Sequence, residues 1–256
     1  MQELTAGAQA GNKGKGKIIA TIEARMTSTR LPGKVLMEVC GEPLLSHLVR
    51  RLKEVRLIQE IVIATTTNTE DNAIEDLAKK IGASIYRGSE HDVLGRVLEA
   101  AESAKGDIIV EITGDCPIID IEIVDQAIRM YICNDFDYVS NAVVRSYPDG
   151  MDVQVFSTKT LRKVAMATQA PDDREHVSKY IYDNPSMFRL CHLVAPGNLE
   201  DPQLGLTLDE KKDYELIKLI MENLREKNPL FGWRDIQDLL REKPDLRMIN
   251  STVKRK

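Results

Sequence analysis

Three apolar runs set the limits on what this chain can fold into: "KIIATIEA" from Lys17, "EIVIATT" from Glu60 and "DIIVEIT" from Asp107. Such nearly continuous runs suit strands covered on both faces rather than strands with one wet side. Helical spacing fills the intervals. "PLLSHLVRRLKEV" opens with Pro43 at a first-turn position and puts Leu44, Leu45, Leu48, Leu52 and Val55 on one face. "EDNAIEDLAKKIG" is closed by Gly82. A short strand, "SIYRG", leads into "HDVLGRVLEAAESAKG", and "IEIVDQAIRMYI" aligns Ile121, Val124, Ala127, Ile128 and Tyr131. Strand and helix alternating in this way predict an α/β fold of three layers around a mostly parallel sheet.

After Asn141 the rhythm changes. "GMDVQVFS" alternates like a strand, helices are expected at 158–168 and 174–183, and "MFRLCHLV" reads as another strand. "KKDYELIKLIMENLREK" and "WRDIQDLLREK" are amphipathic helices. No linker or internal repeat interrupts the chain, so 17–256 reads as one domain, with an arm within 141–195. Residues 1–16, rich in Gly, Ala and Lys, lack the apolar core of a signal peptide and read as a flexible tail.

Composition excludes several functions. A net charge of -5 and 5% aromatic residues argue against a nucleic-acid surface. No apolar run is long enough to span a membrane. Cys40, Cys116, Cys133 and Cys191 form no CxxC pair, so they are expected to be reduced thiols in a cytoplasmic protein and not zinc ligands.

In an open parallel sheet, ligands bind beyond the carboxyl ends of the strands. Three polar clusters follow strands here: "ARMTSTRLPGK", "RGSEHDVLGR" and "TGDCPIID". The first concentrates Arg25, Arg30 and Lys34, with Ser28 and Gly33, in a chain of net negative charge. Guanidinium forks, an ammonium, a hydroxyl and backbone N–H groups freed by glycine are what phosphate oxygens take. The loop does not follow the P-loop spelling GxxxxGK[ST], and the bland alternative is a solvated basic turn. Asp115, after Gly114, sits where a buried strand ends, and a carboxylate there calls for a cation. A divalent metal carrying nucleotide phosphates would answer it; a turn-capping Asp is the alternative.

Other carboxylates have local explanations. Asp120 is expected to cap the helix at Ile121, and Ser89 or Asp92 the helix that follows them. Arg96, one turn on, pairs with Asp92 in the simplest reading. Asp209 and Asp213 in "LTLDEKKDYELI" suit a helix start, or Asp209 meets Asp115 across a site and shares its metal. "PDDREHVSKYI" gathers Asp172, Asp173, Arg174, Glu175 and His176; a helix start explains the acids, leaving Arg174 and His176 as substrate contacts.

Taken in order, "RMTSTRLPGKVL", "RGSEHDVLGR", "TGDCPIID", "DGMDVQVF", "REHVSKYI" and "LTLDEKKDYELI" resemble the cytidylyltransferase family over 17–227. That family includes the enzymes that make CMP-activated 3-deoxy-manno-octulosonate and CMP-sialic acid, and its spore-coat-polysaccharide-type members carry signatures much like these. The resemblance implies a Rossmann-like nucleotidyltransferase fold with a dimerisation arm, hence a homodimer. It implies transfer of CMP from CTP to an acidic sugar or phosphorylated small molecule, with release of pyrophosphate, in surface polysaccharide or glycoconjugate precursor synthesis. Ala24, Arg25, Ser28, Arg30, Gly33 and Lys34 would match the nucleotide-binding loop, together with Gly114. Asp115 and Asp209 match the positions that hold Mg²⁺. Ser89, Asp92 and Arg96 match a motif near base and acceptor, and Asp152, Arg174, Glu175 and His176 match those lining the acceptor pocket. Arg25, Lys34, Asp115 and Asp209 would carry the catalysis. Glu23 and Thr27 depart from the spore-coat type, which has Gln and Gly there, and imply a different acceptor or nucleotide preference. The rival is a sugar-nucleotide-dependent glycosyltransferase, typically marked by Asp-x-Asp after a strand; "TGDCP" has one Asp. A nucleotidyltransferase using another NTP is the second alternative.

Overall fold

A computed structural model describes residues 16–255, so the tail expected at 1–16 lies almost wholly outside the described residues. The main sheet has seven strands. Four run parallel: β1 (Ile18–Glu23) is flanked by β4 (Glu60–Thr66) and β6 (Ile108–Thr113), and β4 pairs outward with β5 (Ser84–Gly88). Beyond β6 the direction reverses. β8 (Gln154–Ser157) is antiparallel to β6, β7 (Tyr138–Ser140) is antiparallel to β8, and β9 (Leu190–His192) closes the edge parallel to β7. The expected three-layer α/β fold with a mostly parallel sheet is what forms.

The period-2 alternation of β1 divides it between two cores. Ala20 and Ile22 pack, fully buried, on one face against α1 (Leu44–Lys53), α4 (Ile121–Cys133), α8 (Lys211–Leu224) and α9 (Trp233–Glu242). Ile19 faces the other way, towards α3 (Val93–Ser103) and α5 (Thr158–Ala167). A fully buried Ile or Leu is worth about 1.5–3 kcal/mol, so these strands are fixed chiefly by being covered twice. α2 (Asn72–Ile81) ends as the sequence requires, with Gly82 left-handed at φ 63°.

The reversal of β8 positions the site. Gln154 opposes Glu111 and Ser157 opposes Ile108, so the chain enters β8 at the carboxyl end of the parallel strands. The segment before β8 is thereby carried to the ligand-binding side of the sheet.

Three local expectations are corrected. "GMDVQVFS" forms a strand only from Gln154; before it the Asn141 side chain accepts from Val153 N–H at 2.8 Å and donates to the Met151 carbonyl at 2.7 Å, doing the work of a ladder. The helix expected at 174–183 is two short ones, α6 (Pro171–Glu175) and α7 (Lys179–Asp183). Between them Val177 takes φ 22° and is buried in the α3–α5 core. Burial of its side chain offsets a backbone conformation that a β-branched residue adopts only under strain. Pro43 precedes α1 instead of opening it, within a small hairpin of β2 (Glu38–Val39) and β3 (Glu42–Pro43). Segment 141–195, where an arm is expected, also contributes β8 and β9 to the main sheet. Among the described residues no helix is long and apolar enough to cross a membrane.

Candidate active site

A cleft of about 280 Å³ opens beyond the carboxyl ends of β1 and β6. The basic loop forms one wall. It leaves β1 stitched on both sides: Ala24 N–H donates to the Ala64 carbonyl, and Gly114 N–H to the Glu23 carbonyl at 2.9 Å. Gly33, left-handed at φ 72°, donates to the Met26 carbonyl and closes the loop, so that Lys34 emerges in a single helical turn.

Two carboxylates anchor that loop from outside. Asp71, fully buried, accepts from Met26 N–H at 2.7 Å and from Thr66 N–H at 3.1 Å, tying the loop to the end of β4. Glu90 accepts from the Thr27 hydroxyl at 2.6 Å and from Asn68 at 2.7 Å, with Arg25 at 3.7 Å. Thr27 therefore has a bonding partner that a glycine there would lack. Sequence reasoning passed over both acids. In "NTEDN" Asp71 looks like any residue at a helix start, and nothing local marks Glu90.

The centre of the cleft is an ion cluster. The Lys34 ammonium lies 2.6 Å from Asp115 Oδ2 and 3.2 Å from Asp209 Oδ1, and Arg30 reaches the same Asp209 oxygen at 2.7 Å. Burial disfavours the Lys34 charge, but the two carboxylates outweigh it and hold the ammonium above its ordinary pKa. Leu208 N–H donates to the Asp115 carbonyl at 2.8 Å, so the backbones of the two acidic segments are joined as well.

Asp213 sets the Asp209 segment. Fully buried, it accepts with Oδ2 from the N–H groups of Asp209 and Glu210 at 3.1 and 2.8 Å. Its Oδ1 accepts from Asn250 at 2.7 Å and Arg255 at 2.8 Å, so the end of the chain braces the site. The helix start legible in the sequence is one part of what Asp213 does.

Most of the residues singled out in the sequence line the cleft: Ala24, Arg25, Ser28, Arg30, Lys34, Arg96, Gly114, Asp115 and Asp209, together with Glu175 and His176. Gly33, Ser89, Asp92, Asp152 and Arg174 do not line it. Gly33 shapes the turn behind Lys34. Ser89 Oγ accepts from the N–H groups of His91 and Asp92, and Asp92 caps α3 through Gly95 N–H at 2.8 Å. Arg174 pairs with Asp92 and also donates to the Ala165 carbonyl, while Asp152 is held by both Nη atoms of Arg145 at 3.0 Å.

The pairing of Arg96 with Asp92 does not form. Arg96 is buried and donates instead to the carbonyls of Ala64, Ser89 and Glu90, because its guanidinium is drawn under the Ser89 turn where those carbonyls need donors. Asp120 caps α4 as expected and also accepts from Trp233 N–H at 2.7 Å. Beside Asp152, Asp149 is pushed up to about 6 by burial and then by repulsion from that carboxylate. The Cys116 thiol next to Asp115 is raised by burial, which removes it as a nucleophile.

Hard oxygen donors for a divalent ion are present at one point, since a single ammonium is within reach of both Asp115 and Asp209. Among the described residues no group of three His, Cys, Asp or Glu could ligate a metal. That donor set fits Mg²⁺, which takes one or two carboxylates and fills its shell with water and substrate phosphate. The cleft thus brings a basic loop against a pair of carboxylates.

Comparison with known proteins bears on this combination. The family model for cytidylyltransferases matches residues 19–232. The chain is 38% identical over 240 residues to an uncharacterised protein of Methanocaldococcus jannaschii, covering 94% of this chain and 97% of the relative. It is 35% identical to the spore coat polysaccharide biosynthesis protein SpsF of Bacillus subtilis, over 89% of this chain and 95% of that one. A solved cytidylyltransferase structure from Leptospira borgpetersenii superposes with a TM-score of 0.86 at 32% identity, covering 91% of this chain and 97% of the other. A CMP:2-keto-3-deoxy-manno-octonic acid synthetase complexed with CTP shares the fold at a TM-score of 0.61 and 16% identity, over 81% and 99% of the two chains.

Proposed function

This chain belongs to the cytidylyltransferase family, and from that premise we propose that it transfers CMP from CTP to an acidic sugar or a phosphorylated small molecule. Pyrophosphate leaves, and the activated product serves surface polysaccharide or glycoconjugate synthesis in the cytoplasm. One observation carries the reading: Arg30 and Lys34 of the basic loop meet Asp115 and Asp209 in a single cleft.

In this reaction an acceptor oxygen attacks the α-phosphorus and the P–O bond to the β-phosphate breaks. Such transfers depend on positioning and on stabilising charge. Arg25, Arg30 and Lys34 bind the β- and γ-phosphates and take up the charge that builds on the departing pyrophosphate. Asp115 and Asp209 would hold a Mg²⁺ ion, which when bound would polarise phosphate and lower the pKa of the acceptor oxygen. Ala24, Gly114 and Arg96 line the nucleoside side. Glu175 and His176 face the acceptor. Arg174 and Asp152 act behind that wall, Arg174 by pinning α6 to the start of α3 through Asp92.

A homodimer built on segment 141–195 belongs to the same proposal, supported by Val143, Val144 and Val194, which are exposed on it. The enzymatic reading is tested by pyrophosphate release with each NTP, crossed with acidic sugars and phosphorylated acceptors. Acceptor-dependent release with CTP is expected. Release with GTP or UTP only would overturn the cytidylyl assignment, and no release with any pair would overturn the reaction.

A further inference from the structure

Asp209, which both Arg30 and Lys34 reach, is held from behind. Its N–H group and that of Glu210 donate to Asp213 Oδ2, so the set of the Asp209 segment follows the Asp213 carboxylate. The other oxygen of that buried carboxylate is fixed by two residues from far along the chain. Asn250, itself buried, donates to Asp213 Oδ1 at 2.7 Å and to the Gly205 carbonyl at 2.9 Å, gripping both ends of the stretch. Arg255 Nη2 donates to the same Oδ1 at 2.8 Å.

Gly205 gives Arg255 its place. A Cβ on Gly205 would overlap the Arg255 guanidinium, which therefore rests in space that any other residue would fill with its own side chain. Gly205 lies outside the left-handed region, so its backbone conformation does not call for glycine. Clearance for Arg255 does. The same glycine bridges to Asp149, and Leu206 N–H donates to the Asp149 carbonyl at 2.6 Å. Arg255 thus stands at the root of the stretch that runs from this bridge to Asp209. Its Nη1 is buried with no acceptor among the described residues, so the brace is the one bond from Nη2, which an ammonium can also make.

We propose that Arg255 is a positioning residue for the cleft: through Asp213 it holds the Asp209 carboxylate opposite Asp115, and so sets how strongly a divalent cation adds to nucleotide binding. This rests on the cation reading above and adds to it a residue outside the cleft. Leu208 N–H, bonded to the Asp115 carbonyl, lies within the braced stretch, so the two acids keep their spacing only while that stretch is held. Removing a group that orients metal ligands typically changes metal affinity roughly 10- to 100-fold. Arg255 works through a carboxylate that Asn250 also holds, so the lower end, about tenfold, is expected.

The test is equilibrium binding of CTP to the full chain, without acceptor, in Mg²⁺ and again in EDTA. The unmodified protein should bind more tightly in Mg²⁺. Arg255→Ala should lose about tenfold in Mg²⁺ and nothing in EDTA, a split that general damage to the fold would not produce. Gly205→Ala keeps the charge but expels the guanidinium, so it should repeat that loss and add nothing further in the Arg255→Ala background. Arg255→Lys, able to make the one bond, should keep the Mg²⁺-dependent gain. Full affinity in Mg²⁺ for Arg255→Ala, an equal loss in both media, or additive losses in the double variant would overturn the proposal and leave the nucleotide site standing. If Arg255→Ala does not fold, Gly205→Ala decides alone, and full affinity there overturns the proposal. Equal binding by the unmodified protein with and without Mg²⁺ would overturn the cation reading as well.

Discussion

Lys34 and Asp115, 81 residues apart, are joined by a 2.6 Å ion pair, and the same ammonium reaches Asp209, 175 residues away, at 3.2 Å. The cation expected to meet phosphate is therefore already placed by the carboxylates expected to meet metal.

Replacing Lys34 removes the neutralising partner of two acids and, on the proposed reading, a phosphate contact. Lys34→Ala should lower kcat/KM for CTP by roughly 100- to 1000-fold, the scale of one preorganised electrostatic donor. Steady-state pyrophosphate release measures it; an unchanged rate would remove Lys34 from the machinery.

Asp213 is buried with four donors on it. Asp213→Ala leaves two backbone N–H groups and the Arg255 guanidinium without their acceptor, a loss of about 2–4 kcal/mol in unfolding free energy. Chemical denaturation reads that loss. Turnover should fall beyond it, because the Asp209 backbone is no longer held.

Gly150 has φ 102°, and a Cβ there would come within 2.4 Å of the Leu206 carbonyl carbon. Since the obstacle is backbone, Gly150→Ala must displace the segment leading to Asp209. Destabilisation of at least about 1–3 kcal/mol is expected, the cost of a residue forced into a sparsely populated conformation. A melting temperature equal to that of the parent would show that the two segments are not in contact.

Stability should fall as pH rises from about 5 to about 8. The ordinary pKa of a glutamate is 4.5, and burial lifts Glu23 to about 7 and Glu111 upward as well. Between those values the folded protein holds a proton that the unfolded chain has released, so raising the pH favours unfolding, by about 1.4 kcal/mol per pH unit for each proton. Asp149, raised to about 6, adds in the same direction. Glu23→Gln should flatten the slope in urea titrations across this range; a slope that stays as steep would show that Glu23 carries no proton.

How much of this the sequence disclosed depends on how local each cause is. β1, β4 and β6 were legible because strands buried on both faces must be apolar throughout. β7, only Tyr138–Ser140, was not, since three residues form a strand only when β8 and β9 flank them. The break at Val177 was hidden for the same reason: tertiary burial decides it against helical spacing. Asp115 announced itself as a charge where charge is costly, and Lys34 as part of a basic loop in a chain of net negative charge. Glu23 signalled only that it is an acid, and what raises it is burial, imposed by strands and helices far along the chain.

The reversal of β8 also ties two distant segments to one acid. The loop from 24 to 34 leaves a parallel strand and meets Asp209 through Arg30 and Lys34, whereas 141–153 enters an antiparallel strand and meets the stretch before Asp209 through Gly150, packed on Leu206 and Thr207. Lengthening or recolouring the second segment would therefore be felt by the first. On the proposed reading, a chain built this way cannot drift in what it modifies without touching how it grips the nucleotide.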